Sequence, residues 1–217
     1  ISLAHNGILF LDELPEFERR VLDALREPIE SGAIHLSRTR AKISYPAQFQ
    51  LVAAMNPSPT GHYQGNHISC TPEQKLSYLS KLSGPFLDPF DLSLEIPLPP
   101  PGLLRQTGIK GESSAAVRER VIAAQARQYA RQNRLNARLD NSGIRQFCSL
   151  NADDAGWLEE PLTRFGLSIR AWQRLLKVAR TVADVEGCPG IERRHLQEAL
   201  SYRAIDRLLL HLQKMLA

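Results

Sequence analysis

Apolar positions follow two regimes along the chain. In roughly the first hundred residues they form short unbroken runs or alternate with polar neighbours, whereas beyond about Glu112 they recur every three or four residues. Ile8-Leu9-Phe10-Leu11 is entered from Asn6-Gly7 and left at Asp12-Glu13, a pattern that predicts a fully buried strand with two carboxylates at its carboxyl end. Glu16 to about Glu27 carries Val21, Leu22 and Leu25 at helical spacing, and Pro28 with Ser31-Gly32 is expected to close that helix. Ala33–Leu36 and Ala41–Tyr45 read as a hairpin around Ser37-Arg38-Thr39-Arg40. Phe49–Met55 reads as a second buried strand, running into Asn56-Pro57.

After a loop rich in turn formers, a helix is expected over Pro72–Leu82, with the proline at its first position. Leu92–Ile96 reads as a last strand. The proline run Pro97 to Pro101, interrupted at Leu98 and closed by Gly102, marks a boundary, because prolines donate no backbone hydrogen bond and stiffen a linker. The remainder is helical throughout: Ser114–Leu135, Ser142–Leu150, Asp153–Phe165, Ser168–Glu186, and Glu192–Met215 with a break. Two domains are expected, 1–104 with short strands and helices and 105–217 all-α, with helix predominating overall.

Composition narrows this picture. No run of about eighteen apolar residues exists and the first residues do not form a signal sequence, so no membrane partner is expected. Cys70, Cys148 and Cys188 are odd in number and far apart, which fits a cytoplasmic protein rather than a disulfide framework. The net charge of +4 conceals an asymmetry: residues 1–104 hold 8 Lys and Arg against 11 Asp and Glu, and residues 105–217 hold 19 against 12. A basic second half suits an anionic partner, although scattered surface charge is the commoner cause.

Chemistry concentrates at the strand tips. Open α/β sheets bind ligands in the crevice at the carboxyl ends of their strands, which is where Asp12, Glu13 and Asn56 are expected. One acid can hold Mg²⁺ and its neighbour can polarise a water in a phosphoryl-transfer site. The acids also suit a solvated helix start, and Asn56 suits a turn before Pro57. Having both strands end in such groups favours the nucleotide reading.

The strings Ala4-His5-Asn6-Gly7-Ile8-Leu9-Phe10-Leu11-Asp12-Glu13-Leu14-Pro15-Glu16-Phe17, Gln48 to Pro57, Cys70-Thr71-Pro72-Glu73-Gln74 and Leu82-Ser83-Gly84-Pro85 resemble magnesium-chelatase-like AAA+ ATPases of the ComM/YifB type, with kinship to chelatase I subunits and MCM helicases. The resemblance continues at Gly166 to Ala171 and Leu176 to Asp184. It implies the carboxy-terminal part of an α/β P-loop AAA+ core, with Walker B and sensor strands and a β-hairpin insertion, followed by an all-α helical lid. By motif, Asp12 and Glu13 are implied as the Walker B pair, with Asp12 holding Mg²⁺ through ATP, Asn56 as the sensor, and Arg170 as the lid arginine that binds nucleotide. A homo-oligomeric ring, expectedly a hexamer, is implied as well.

This sequence departs from the family in three places. It holds no Walker A loop, which is expected upstream in a longer parent, so these residues alone are expected to be inactive. Pro89 stands where relatives carry an arginine that acts on the neighbouring subunit, leaving trans-activation lost or moved to a cation such as Lys81. The loop after Asn56 lacks the family's cysteines; His62, His67 and Cys70 make only a weak zinc pattern.

Two basic features are DNA-binding candidates. Arg120, Arg127, Arg131 and Arg134 fall in one sector of the predicted helix from Ser114, with Ile122, Ala126 and Tyr129 opposite; a solvated outer face or an intersubunit surface facing acids explains them at least as well. Arg38, Arg40 and Lys42 alternate at the hairpin tip and are expected to project from one face. The expected function is an ATP-hydrolysing ring subunit that remodels DNA, by branch migration or helicase-like action. The alternatives are a chelatase-like subunit that remodels a protein, and a weakly hydrolysing structural subunit.

Overall fold

The computed structural model describes residues 1–38, 41–60, 70–82, 84–97 and 111–216. The chain divides into one unit of Ile1–Phe90 with Leu208–Ala217 and a second of Asp91–Arg207.

In the first unit, β1 (Ile8–Leu11) leads through a short 3-10 turn, Leu14–Glu16, into α1 (Arg19–Ser31). The hairpin β2 (Ala33–Arg38) and β3 (Ala41–Pro46) follows, then β4 (Gln50–Ala53), α2 (Pro72–Ser80) and the single turn α3 (Gly84–Leu87). Helix α1 continues through Pro28, which was expected to close it. Pro28 lies in the last turn, and the helix stops at Gly32, whose left-handed backbone (φ 71°) turns its N–H onto the Pro28 carbonyl at 2.9 Å. Thr71 and Gln74 form a reciprocal capping box at the start of α2, and Pro72 takes the first position, where a missing N–H costs nothing.

Strands β1 and β4 pair in parallel, Ile8 opposite Gln50 through Leu11 opposite Ala53. Leu9, Leu11 and Ala53 pack onto a core of Leu14, Leu22, Leu25, Leu82 and Phe86. The expectation of fully buried strands is corrected here. Ile8, Phe10 and Val52 point to the other face of this two-stranded sheet and are 64%, 58% and 38% exposed, because no described element covers that face. A second cluster joins Tyr78 and Leu79 of α2 to Leu212.

The second unit holds α4 (Ser114–Gln132), α5 (Asn141–Phe147), α6 (Ala152–Phe165), α7 (Ile169–Glu186) and α8 (Arg193–Ser201), and α9 (Ala204–Leu216) begins in it. The expected break in the last helical stretch falls at Tyr202-Arg203. No strand forms over Leu92–Ile96; only Ser93 makes a bridge, to Arg203. Ser168 caps α7 by accepting the Ala171 N–H, and Leu175, Leu176 and Ala179 bury the helix among Leu139, Ile144, Leu158 and Leu196. Ile169 is 79% exposed, since it sits in the first turn ahead of the packed face.

Candidate nucleotide-binding site

At the carboxyl end of β1 the backbone turns sharply. Asp12 accepts the Glu13 N–H on Oδ1 at 2.9 Å, and Glu13 adopts a left-handed conformation at φ 51°. A residue with a Cβ pays about 1 kcal/mol for that geometry, and such strain concentrates at functional sites. The turn is held to the exit of β4 by two bonds: the Ala54 N–H donates to Leu11 O at 2.8 Å and the Leu14 N–H to Ala54 O at 3.0 Å. Parallel pairing thus delivers the Asp12-Glu13 turn and the Ala54-Met55-Asn56 exit at the same end of the sheet. Asp12, Glu13 and Asn56 are all solvent-exposed there.

Tyr78 is a neighbour of these acids that sequence reasoning missed. Burial pushes its phenol above the ordinary value, and the charges of Glu16 and Glu13 push it the same way. No local pattern links residue 78 to residue 13; only packing of α2 against the 3-10 turn does. Lys81 sits over the Tyr78 ring at 5.4 Å and pairs with Glu16 at 3.6 Å. Glu16 and Lys81, with Phe17, Arg19, Ser77 and Ser80, line an open cavity of about 520 Å³. Pro89 is buried, and Phe86 and Phe90 meet edge to face beside it at 5.6 Å. Arg170 belongs to the second unit, exposed in the first turn of α7.

The two basic features resolve differently. On α4 the arginines are bonded within the protein. Arg131 holds both carboxylate oxygens of Asp184, Arg127 donates to the Asp184 carbonyl at 2.8 Å, and Arg120 pairs with Glu112 through two bonds of 2.6 and 2.7 Å. Ile122 and Tyr129 on the other side are 57% and 51% exposed, and Arg120 and Arg127 are exposed as well, so the arginines are held by bonds rather than by burial. The basic stripe is therefore no free phosphate track: Arg120, Arg127 and Arg131 are engaged by the protein itself, and Arg134 alone of the four makes no such bond among those described. On the hairpin, Lys42 is exposed and Arg38 ends β2, while Arg40 lies outside the described residues. The register pairs Arg38 with Ala41 and Ser37 with Lys42, so Arg38 and Lys42 hold positions of opposite parity rather than one shared face.

Of the weak zinc pattern, His62 and His67 lie outside the described residues, and Cys70 accepts a hydrogen bond from Thr60 at 3.6 Å. Among the described residues Glu186, Cys188 and His195 bring ligand atoms within 4.8 Å of one another. His195 Nδ1, however, accepts the Glu192 N–H at 2.9 Å, which leaves the neutral ring's proton on Nε2, aimed at Glu186 at 3.1 Å. Arg194 adds its charge at 3.2 Å from the Cys188 sulfur and 3.3 Å from Glu186. With the imidazole lone pair used and a cation in place, this cluster fastens α7 to α8. Among the described residues no helix is long and apolar enough to cross a membrane.

Two family models match the chain. Residues 1–102 match the family described as magnesium chelatase, subunit ChlI, and residues 111–203 match the family described as magnesium chelatase, subunit ChlI C-terminal. The protein YifB of Salmonella typhimurium is 76% identical over 217 residues, covering 100% of this chain and 43% of the relative. The competence protein ComM of Haemophilus influenzae is 58% identical over 215 residues, covering 99% of this chain and 42% of the relative. A Mycobacterium tuberculosis protein, Rv2897c, is 39% identical over 211 residues, covering 94% of this chain and 41% of the relative. The chain thus spans less than half the length of these relatives.

Proposed function

This chain belongs to the magnesium-chelatase-like family of the ComM/YifB type, and from that premise we propose that it is part of an ATP-hydrolysing AAA+ ring subunit that remodels DNA. The observation that carries the reading is the parallel β1–β4 pair, which brings Asp12, Glu13 and the Asn56 segment to one sheet end with Glu13 held in a left-handed conformation. An exposed carboxylate at a strand tip is a hard oxygen donor of the kind Mg²⁺ takes, so Asp12 is the residue that would hold ATP-bound Mg²⁺. Bound Mg²⁺ supplies charge neutralisation on the phosphates. Glu13 orients and polarises the attacking water, Asn56 steadies it, and Arg170 reaches the nucleotide from the lid.

The phosphate-binding loop is assigned to the part of the longer protein outside this chain, consistent with relatives more than twice as long. Residues 1–104 then form the latter part of the ATPase core and 105–217 the lid, and copies assemble as a hexameric ring. Arg38, Arg40 and Lys42 are the DNA-contacting cations of the hairpin.

A second reading has its own support. Both family matches carry a chelatase description, which favours a subunit that remodels a protein. A buried proline at position 89 offers no cation to a neighbouring subunit, and Lys81 is engaged with Glu16, which favours slow hydrolysis in either case. The test is the ATPase rate of the full-length protein with and without single-stranded DNA, beside Glu13→Gln. DNA-stimulated turnover that Glu13→Gln abolishes supports the DNA motor. Turnover indifferent to DNA supports the protein-remodelling reading, and turnover that survives Glu13→Gln removes the assignment of Glu13.

A further inference from the structure

The exit of β4 is held from two sides. On one side its backbone is tied to the Asp12-Glu13 turn: the Ala54 N–H donates to Leu11 O at 2.8 Å, and Ala54 O accepts the Leu14 N–H at 3.0 Å. On the other side stands the side chain of Met55. Half-buried and exposed positions alternate past the end of the strand, Ala53 and Met55 half-buried, Ala54 and Asn56 exposed, which is the pattern of an extended chain. Neighbouring side chains of an extended chain point to opposite sides, so whatever grips Met55 also aims Asn56.

Met55 lies at a seam. Among the described residues it is the one side chain packed against both apolar clusters of the first unit, that of Leu82 and Phe86 and that of Tyr78, Leu79 and Leu212. Leu212 is 2% exposed, and Leu208 and Leu209 pack into the same cluster. The end of α9 therefore supplies part of the wall against the residue next to Asn56, although it lies at the far end of the sequence. A methionine side chain is unbranched and fills whatever space its neighbours leave, so its place is set by those walls rather than by its own stiffness.

We propose that Leu212 is a positioning residue for hydrolysis, fixing Asn56 through Met55, so that the end of α9 is part of the ATPase site. This rests on the reading above that Asn56 steadies the attacking water, and adds the residues that hold it in place. A smaller side chain at position 212 leaves a void into which the flexible methionine relaxes, carrying the Asn56 amide out of line. An amide that acts on the attacking water contributes to the chemical step, so the loss falls on kcat and leaves KM in place.

The test is steady-state ATP hydrolysis by the full-length protein, well below its melting temperature, for Leu212→Ala, Asn56→Ala and the two together. Leu212→Ala is expected to lower kcat on the order of tenfold at unchanged KM, short of the roughly hundredfold that a misplacement of about 1 Å can cost. In the Asn56→Ala background the same change should do almost nothing more, because the residue it positions is gone. Leu212→Met, which refills the wall, should restore most of the turnover. An effect of Leu212→Ala that is equal in both backgrounds, or that appears in KM, would make Leu212 ordinary packing and overturn the proposal. Wild-type kcat in Leu212→Ala beside a slow Asn56→Ala would overturn it too, and would leave the site reading standing. If Asn56→Ala turns over like the wild type, or the wild type does not turn over, the site reading fails and the proposal with it. Leu212→Val carries the same test at smaller amplitude if Leu212→Ala does not fold.

Discussion

Arg131 grips Asp184 from 53 residues away, Nη1 to Oδ1 at 2.6 Å and Nη2 to Oδ2 at 2.8 Å, and so ties α4 to α7. Asp184 is 1% exposed and also accepts from Asn136 at 2.8 Å and from the buried Arg180 at 3.0 Å. Asn136 in turn donates its side-chain amide to Thr181 and its backbone N–H to Gln128 Oε1, so the turn after α4 is part of the same assembly. A charge placed this deep is tolerated only because its oxygens are all used.

Removing the carboxylate leaves two guanidinium groups, one of them fully buried, without their counter-charge. Asp184→Ala is expected to cost about 3–5 kcal/mol, the range for breaking a buried pair from one side. The measurement is the shift of the urea midpoint for the second unit's unfolding. A loss below about 1 kcal/mol would show that the assembly is dispensable.

The same residue sets an acid limit. Burial works to raise the Asp184 pKa, but hydrogen bonds from Arg131 and Asn136 and the charges of Arg180 and Arg131 outweigh it and hold the group below the usual carboxylate value. A depressed folded-state pKa contributes stability that is present above the unfolded value, about 4, and is lost as pH falls through the folded one. Stability should therefore fall with pH below about pH 4, and a thermal melt series for Asp184→Asn should have a shallower acid slope.

Cys148 is buried against this assembly. Burial raises its thiol to about 11, outweighing the opposing charges of Arg180, Arg131 and Lys177. The thiolate is the reactive form, so in the native protein at pH 8 the thiol should resist an aromatic disulfide reagent that reaches the more exposed Cys188. Full labelling of Cys148 is expected only in denaturant. Rapid native labelling would contradict its burial.

Glu13 carries backbone strain at the proposed centre of the chemistry. Glycine takes a left-handed conformation without a Cβ clash, so Glu13→Gly should preserve stability or raise it by up to about 1 kcal/mol. Hydrolysis in the full-length protein should nonetheless be lost. A variant that is both less stable and still active would mean the residue is kept for the turn rather than the reaction.

Ser93 caps a helix from far along the chain. Its Oγ accepts the Ile205 N–H at 3.1 Å, its carbonyl accepts the Ala204 N–H at 3.1 Å, and its own N–H donates to Tyr202 O at 2.6 Å. Arg203, the residue before α9, has no short side-chain acceptor with which to cap it. Ser93→Ala should cost about 1 kcal/mol, the usual penalty for losing a cap, read as a lowered denaturation midpoint. Ser93→Asp, which restores an acceptor, should recover part of it.

The sequence alone determined whatever short-range chemistry decides. The Pro72 start of α2, the Ser168 start of α7 and the Ile8-to-Leu11 strand with acids at its end depend on neighbours within a few residues, so their patterns could be read directly. The hairpin was legible for the same reason, with two apolar-rich runs around a polar tip. Only the tertiary structure decided which face of an element is covered. Periodicity put the arginines of α4 on one side but could not say that Asp184 waits at the Arg131 end, where the helix is tied to α7. Apolar runs predicted buried strands, yet burial of Ile8 and Phe10 needs a second layer over their face, which no described element provides. The approach of Tyr78 and the cap from Ser93 have no local signature at all, because each is a contact between residues brought together by folding rather than by spacing.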